Sequence, residues 1–303
     1  MDVSVILCTW NNSARLGVTL RAFLDLEFSE KVSWELVVVN NNSTDATCNI
    51  VNQYTESLPI KYVEEPKQGL SHARNAGLAN ASGELVVFTD DDIRPCKGWL
   101  DTYWKAYRVN TDSYFWGGPI VSEFEEPPKD MELIRLAPCS VRGLDWGPDE
   151  RFLAEGEFFI SANWGCPAKY LATVGGFDPS LGLNPDAGKV LVGEENDLMN
   201  RLTALGLKAL YLPEASIQHF VPKSKMTLDH SAARVEASGR TLANFNDGKT
   251  TAQIFGIPRW MFFRIIVLLK DYWLARATGK HGYKEYLSYR RLRGNLSALF
   301  EQR

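Results

Sequence analysis

Three consecutive carboxylates, Asp90-Asp91-Asp92, close the apolar run Leu85-Val86-Val87-Phe88-Thr89 and are followed by Ile93-Arg94-Pro95. Adjacent negative charges repel, so folding alone gives no reason to end a strand this way. A hard divalent cation does, because Mg²⁺ or Mn²⁺ takes oxygen ligands and shares them with phosphate groups. The carboxyl edge of an α/β sheet is also where ligands of that architecture collect. The plainer reading is a solvated acidic turn that caps the next helix, and the other polar groups of the chain decide between the two. Arg74 lies in an Ala-rich stretch; its planar fork suits a diphosphate better than an ammonium would, the alternative being a solvated helix face. Glu194, Glu195 and Asp197 open another helical stretch, where a carboxylate can act as a general base or merely favour the helix N-terminus.

These residues need a scaffold, and the bulk properties bound it. At 303 residues the chain exceeds what one core usually fills, so one large domain plus an appendage is expected. Hydrophobic residues make up 45% and charged ones 23%, ordinary for a globular protein. The net charge of -4 argues against a general nucleic-acid binder. It hides an asymmetry: residues 255–303 hold ten Lys/Arg and three acids, hence +7, which leaves -11 for residues 1–254. A basic tail on an acidic body suits an anionic membrane surface. Five scattered cysteines without a C-x-x-C pair point to a reducing compartment and no structural zinc. With no leader pattern ahead of Val3 and no stretch of roughly 18 uninterrupted apolar residues, a cytoplasmic location is expected.

The first hundred residues alternate strand and helix. Val3–Cys8, Glu35–Val39, Ile60–Val63 and Glu84–Thr89 read as strands, with helices after Asn12 and over Gly69–Ala81. Asn40-Asn41-Asn42-Ser43-Thr44-Asp45 follows the second strand, where Ser43 or Thr44 can cap the next helix. Such alternation means βαβ units and a parallel sheet covered on both faces. Beyond residue 110, strands are expected at Tyr114–Val121, Glu157–Ala162, Lys208–Leu212 and Ile217–Phe220, and helices at Pro167–Val174 and Glu195–Leu205.

The order of motifs resembles the family-2 inverting glycosyltransferases of GT-A fold. It rests on Thr9-Trp10-Asn11, Val39-Asn40-Asn41-Asn42-Ser43-Thr44-Asp45, Gly69-Leu70-Ser71-His72-Ala73-Arg74-Asn75-Ala76-Gly77, Thr89-Asp90-Asp91-Asp92, Gly175-Gly176-Phe177-Asp178, Gly193-Glu194-Glu195-Asn196-Asp197-Leu198 and His219. The resemblance covers about residues 3–222 and implies a Rossmann-like mixed sheet flanked by helices, with a nucleotide-sugar half over 1–110 and an acceptor half over 111–222. Residues 223–303 are then a helical C-terminal extension. The resemblance implies Mn²⁺ or Mg²⁺ held by Asp92 and His219, with Asp90 as the further member of the D-x-D pattern. Asp90 or Asp91 could instead meet the ribose, and Arg74 the diphosphate. Thr9, Trp10, Asn11, Asn40 and Asn42 would surround the nucleoside, Trp10 by stacking. Asn40 replaces the Asp of many relatives; its amide can accept the imide proton and donate to a base carbonyl, which favours UDP or dTDP over GDP. The second residue of the family's Glu-Asp pair falls on Glu195, the expected base, with Asp197 as fallback. Glu194, Asn163, Trp164 and Gly165 are expected against the acceptor, a glycan or lipid-linked glycan. Two rivals stand beside this reading: an enzyme charging polyprenyl phosphate, and a silent sugar-nucleotide-binding scaffold.

In the tail, Met261, Phe262, Ile265, Ile266, Leu268, Leu269, Tyr272 and Trp273 fall within one helical arc about 160° wide at 100° per residue. A second helix over Tyr283–Phe300 sets aromatics beside Arg290, Arg291 and Arg293. Such helices lie in a membrane interface, or pack on the catalytic domain or on a second subunit to give an oligomer.

Overall fold

The chain builds its first sheet from runs that are apolar on both sides. In the computed structural model, which describes residues 1–183, 192–243, 252–254 and 257–301, these runs become β1 (Val3–Thr9), β2 (Trp34–Asn40), β3 (Ile60–Glu64) and β4 (Leu85–Asp90), with α1 (Ser13–Phe23), α2 (Thr47–Asn52) and α3 (Leu70–Asn80) between them. All four strands are parallel, and β1, β2 and β4 are buried nearly throughout, as a sheet covered on both faces requires. Gly77 lets α3 sit close on this sheet, since a Cβ there would lie 2.5 Å from Ile6 Cγ2. After β4 come β5 (Ile93–Pro95), α4 (Trp99–Val109), β6 (Tyr114–Gly117), β7 (Ile120–Phe124), α5 (Met131–Leu136), α6 (Cys139–Arg142), β8 (Arg151–Phe152), β9 (Trp164–Pro167), α7 (Ala168–Val174), α8 (Glu194–Ala204), β10 (Lys208–Tyr211) and β11 (Ile217–Val221). The last elements are α9 (Leu228–Leu242), β12 (Gln253–Ile254), β13 (Ile257–Pro258), α10 (Arg259–Ala277) and α11 (Tyr283–Glu301).

The main sheet has the order β3-β2-β1-β4-β9-β6-β10-β8, and β5-β11-β7 forms a small second sheet. Antiparallel pairing of β9 with both β4 and β6 makes the main sheet mixed. Two registers matter for chemistry: Thr9 pairs with Asn40, and Cys8 with Asp90, so the carboxyl ends of β2, β1 and β4 share one edge.

Several expectations change. The strand expected over Glu157–Ala162 forms instead at Trp164–Pro167, where backbone pairing with β4 is available; Phe159 and Ala162 are buried outside any strand. The run Tyr114–Val121 breaks at Gly118-Pro119 into β6 and β7, which join different sheets. Helix α4 has no counterpart among the expected elements, whereas α9 falls in the stretch 223–303 expected to be helical.

The chain divides into two compact units. One comprises the described parts of Met1–Glu123, Gly143–Gly188 and Glu194–Phe220; the other comprises Phe124–Arg142, the described part of Lys189–Gly193, and the C-terminal helices from Val221. Within the second unit, α9 and α11 approach through Gly239 and Gly294, where a Cβ would meet a backbone oxygen of the other helix at 1.9 and 2.0 Å. Glu236 of α9 accepts from Arg290 at 2.6 Å and from Arg293 at 2.7 Å. The apolar arc of α10 is divided: Met261 and Leu268 are buried, Met261 beside Leu296, whereas Ile266 and Trp273 are 64% and 66% exposed. The arc is wider than the strip that α11 covers. Arg303, counted in the tail's charge, lies outside the described residues.

Candidate active site

The acid triplet begins on the last residue of β4 and turns at once into β5. Thr19 holds that turn from α1: its hydroxyl donates to the carbonyls of Asp91 (2.8 Å) or Ile93 (2.9 Å) and accepts from the Ile93 amide. β5 pairs antiparallel with β11 so that Ile93 faces His219, and the Phe220 amide donates to the Asp92 carbonyl at 2.9 Å. This short ladder carries His219, 127 or more residues away in sequence from the acids it meets, to 3.2 Å between its Nε2 and Asp92 Oδ1. Ligand atoms of Asp90, Asp92 and His219 all lie within 4.8 Å of one another. Two carboxylates and an imidazole at this spacing form a donor set suited to Mn²⁺ or Mg²⁺. Burial raises the Asp90 pKa, and Arg74 and His219 oppose that rise while Asp92 adds to it. A cation here would relieve the desolvated charge.

Asp91 does not join them. Its Oδ2 accepts from Thr9 Oγ1 at 2.6 Å and its Oδ1 from Asn12 Nδ2 at 2.7 Å. Burial and the charge of Asp92 push its pKa up to about 7. With both oxygens engaged, Asp91 clasps the end of β1 instead of facing a ribose, which corrects the expectation that it could.

The loops after β1 and β2 are interlocked. The Asn11 amide donates to Ser43 Oγ (2.9 Å), the Thr44 amide to Asn11 Oδ1 (2.8 Å), and the Ser13 amide to Asp45 Oδ2 (2.9 Å). Asn11 and Asn42 adopt positive φ of 49° and 61°, which Asn tolerates better than most residues. The helix-capping expectation is corrected here: Asp45, not Ser43 or Thr44, accepts from the Thr47 amide that starts α2. Asn40 is partly committed, its Oδ1 accepting from the Ser43 amide and its Nδ2 donating to Tyr62 OH. One lone pair and one N–H remain on it. Trp10 stands 44% exposed beside these loops, an indole face open to stacking. Asn41 is buried and spans to the α3 loop, donating to the Glu65 and Lys67 carbonyls and accepting from the Gly69 amide.

Arg74 and the glutamates form a second charged cluster. Arg74 Nη1 reaches Glu194 Oε1 at 3.0 Å and Glu195 Oε1 at 3.2 Å, with Arg74 almost fully buried. Its Nη2 is buried without a hydrogen-bond partner. Nη1 is thus spent on the glutamates, while Nη2 is left for a ligand. Burial and the neighbouring charge of Glu195 push Glu194 up to about 7. Glu195 is also penalised by burial, but Arg74 and the Ser161 hydroxyl outweigh it and hold the carboxyl below its ordinary range. The cluster therefore keeps Glu195 ionised and lets Glu194 exchange its proton around neutral pH. Asp197, the fallback base, is engaged by Arg201 at 2.6 Å.

Three acceptor-facing expectations are corrected. Asn163 is fully buried; its Oδ1 accepts from Trp99 Nε1 (2.8 Å) and Tyr103 OH (2.9 Å), and its Nδ2 donates to the Pro119 (3.0 Å) and Ala215 (2.7 Å) carbonyls. Trp164 is buried and stacked on Phe88 at 4.7 Å, and Gly165 lies inside β9 between β4 and β6. These residues are core. Glu194 is also buried, yet it borders Glu195. Asn12, Thr19, Asn41 and Tyr62 were missed. Asn12 and Asn41 carried a signal, their places beside Thr9-Trp10-Asn11 and between Asn40 and Asn42; Thr19 and Tyr62 are polar side chains in stretches that read as packing.

Comparison with known proteins bears on this arrangement. Residues 4–162 match the model of glycosyl transferase family 2. The succinoglycan biosynthesis protein ExoM of Rhizobium meliloti (strain 1021) is 25% identical over 246 residues, which are 80% of this chain and 74% of that protein. Other curated relatives, such as the glycosyltransferase AglE of Haloferax volcanii, are matched over a third or less of their own length. Among solved structures, the mannosyltransferase PcManGT of Pyrobaculum calidifontis, in complex with GDP-Man and Mn²⁺, superposes with a TM-score of 0.61 at 18% identity, covering 99% of this chain and 88% of that one. S. aureus TarS 1–349 in complex with UDP-GlcNAc gives a TM-score of 0.56 at 16% identity, covering 100% of this chain and 92% of that one. At such identities the likeness is one of fold.

Proposed function

Because the chain belongs to glycosyl transferase family 2 and has its GT-A fold, we propose that this glycosyltransferase is metal-dependent and inverting. It takes a sugar from a nucleoside diphosphate, UDP or dTDP by preference, and passes it to a hydroxyl of a glycan or lipid-linked glycan. The observation that carries the metal dependence is the convergence of Asp90, Asp92 and His219 within 4.8 Å, from strands distant in sequence.

Asp90, Asp92 and His219 hold Mn²⁺ or Mg²⁺, which when bound neutralises the charge that develops on the departing diphosphate. Arg74 Nη2 supplies a buried charge-assisted hydrogen bond to a phosphate oxygen, while Nη1 stays with the glutamates. Trp10 stacks on the base. The lone pair and N–H left on Asn40 pair with an imide N–H and an adjacent base carbonyl, the pattern of uracil or thymine. Asn11 and Asn42 shape the loop that surrounds the nucleoside. Glu195, kept ionised by Arg74 and Ser161, accepts the proton of the acceptor hydroxyl as its oxygen attacks the anomeric carbon. One displacement inverts that carbon. Glu194, pushed up to about 7 beside it, shares Arg74 Nη1 with Glu195 and helps to orient it. No described helix is long and apolar enough to cross a membrane; the +7 tail suits peripheral contact with the cytoplasmic face of one. The test is a thermal-shift panel of UDP, dTDP, GDP and CDP with and without Mn²⁺. Stabilisation by one uracil or thymine nucleotide only with Mn²⁺ is expected; metal-independent stabilisation by every nucleotide refutes the reading.

A further inference from the structure

We propose that the C-terminal helices carry a docking surface for an anionic lipid layer, made of the outward face of α10 and a cation-rimmed groove that receives a lipid phosphate. The inference rests on reading the tail as a peripheral membrane contact and is independent of the transfer reaction.

The face is not the one that sequence periodicity selects. Met261 and Leu268 are turned inward, and the opposite side of α10 exposes Trp260 (54%), Phe263 (60%), Ile266 (64%), Val267, Trp273 (66%) and Leu274. At 100° per residue these six span about 140°, and the only charged side chains in that sector are Arg259 and Lys270. A helix apolar on both sides is normally covered on both. The two indoles sit near opposite ends of the 19-residue helix, as amphipathic rings do at a membrane–water interface.

Beside this face, Trp260, Val235, Leu268, Leu287 and Leu292 help to line an open groove of about 380 Å³. Arg264, Lys284 and Arg291 also line it. None of the three has an acidic partner among the described residues, although Arg290 and Arg293 of the same helix are both paired with Glu236. Three unpaired cations over an apolar floor complement an anionic head joined to a hydrocarbon chain. The same positive charge opposes a second copy of this chain as the occupant, because two +7 tails would face each other.

The experiment is vesicle flotation of the full chain, with phosphatidylglycerol mixed into phosphatidylcholine and with phosphatidylcholine alone. Wild-type protein is expected to float with the anionic vesicles and to be released by salt. The exposed-face variant Trp260→Ser/Phe263→Ser/Ile266→Ser should bind at least tenfold more weakly. The variant Arg264→Glu/Lys284→Glu/Arg291→Glu should lose about a hundredfold or more, since each cation near such a surface contributes roughly fivefold. Lys31→Glu, exposed on the other unit, should bind like wild type. If wild type floats but both triple variants float equally well, the proposed face is wrong while a peripheral contact survives; if folded wild type never floats, the peripheral reading falls too. Displacement by free glycerol phosphate would make the groove a site for a soluble phosphate ester and overturn the lipid assignment. A lipid-free dimer by light scattering that Trp260→Ser/Phe263→Ser/Ile266→Ser abolishes would overturn it in favour of a second copy.

Discussion

Replacing Glu195 by Gln separates catalysis from stability. In the wild type Arg74 faces two glutamates; Glu195 is held ionised, whereas Glu194, pushed up to about 7, keeps part of its proton at neutral pH. The Arg74–Glu195 separation of 3.2 Å corresponds to roughly 5 kcal/mol at an effective dielectric of about 20, which on its face makes Glu195→Gln strongly destabilising. That loss is offset within the cluster. Burial and the Glu195 charge are the two leading causes that raise Glu194; once that charge is gone, Glu194 ionises fully against Arg74 Nη1, 3.0 Å away. The pocket keeps its charge count, and the net cost should be only about 1 kcal/mol. The base does not migrate with the charge, because Glu194 is buried deeper, at 3% exposure. Turnover should therefore fall by roughly 10²-fold or more, with Mn²⁺-dependent nucleotide binding unchanged. The assay is release of nucleoside diphosphate from the donor that the thermal-shift panel selects, read beside the melting curve. Glu194→Gln is the companion, since it retains both a donor and an acceptor, and should keep turnover within about tenfold. If Glu195→Gln turns over at near the wild-type rate, or Glu194→Gln loses as much, the base assignment is refuted. Near wild-type turnover by Glu195→Gln would point to an acceptor that is already an anion, such as a polyprenyl phosphate.

Asp92→Asn and His219→Ala should each remove the Mn²⁺-dependent part of nucleotide stabilisation, which for ligand at a hundred times its dissociation constant is about 2.7 kcal/mol; differential scanning fluorimetry reads it directly. Asn163→Ala should cost roughly 3 kcal/mol or more in denaturant unfolding, because it strands two donors and two carbonyls in the core, yet leave KM for the acceptor unchanged. Glu194 gives a pH signature: it releases its proton near 4.5 when unfolded and near 7 when folded. The folded state then binds more protons over that window, so this contribution to stability is complete below pH 4.5, is lost as pH rises to about 7, and is flat beyond. The loss should be about 3 kcal/mol, and the difference between wild type and Glu194→Gln in urea melts across the window isolates it.

Much of this protein is written locally. Period and composition place β1 to β4 within a residue or two, because β1, β2 and β4, buried on both faces, read as continuous apolar runs. The acid triplet announces a cation because no folding requirement explains it. Even Arg74 and the two glutamates are legible as charged residues inside apolar periodicity. What local sequence could not decide is which polar groups turn toward the cleft and which are consumed by the core. Asn163 and Trp164 sit in a stretch that resembles a binding loop, and become core only because β9 inserts between β4 and β6. Asp91 and Asp92 are neighbours of the same type; a ladder between β5 and β11 sends one toward His219, while Thr9 and Asn12 pull the other away. On α10 the helical period identifies apolar residues, but only the packing of α11 decides which are covered. Periodicity is a property of neighbours in sequence. Convergence and coverage are set by long-range pairing, which is why the cluster of Asp90, Asp92 and His219 and the exposed helix face come into view only in the folded chain.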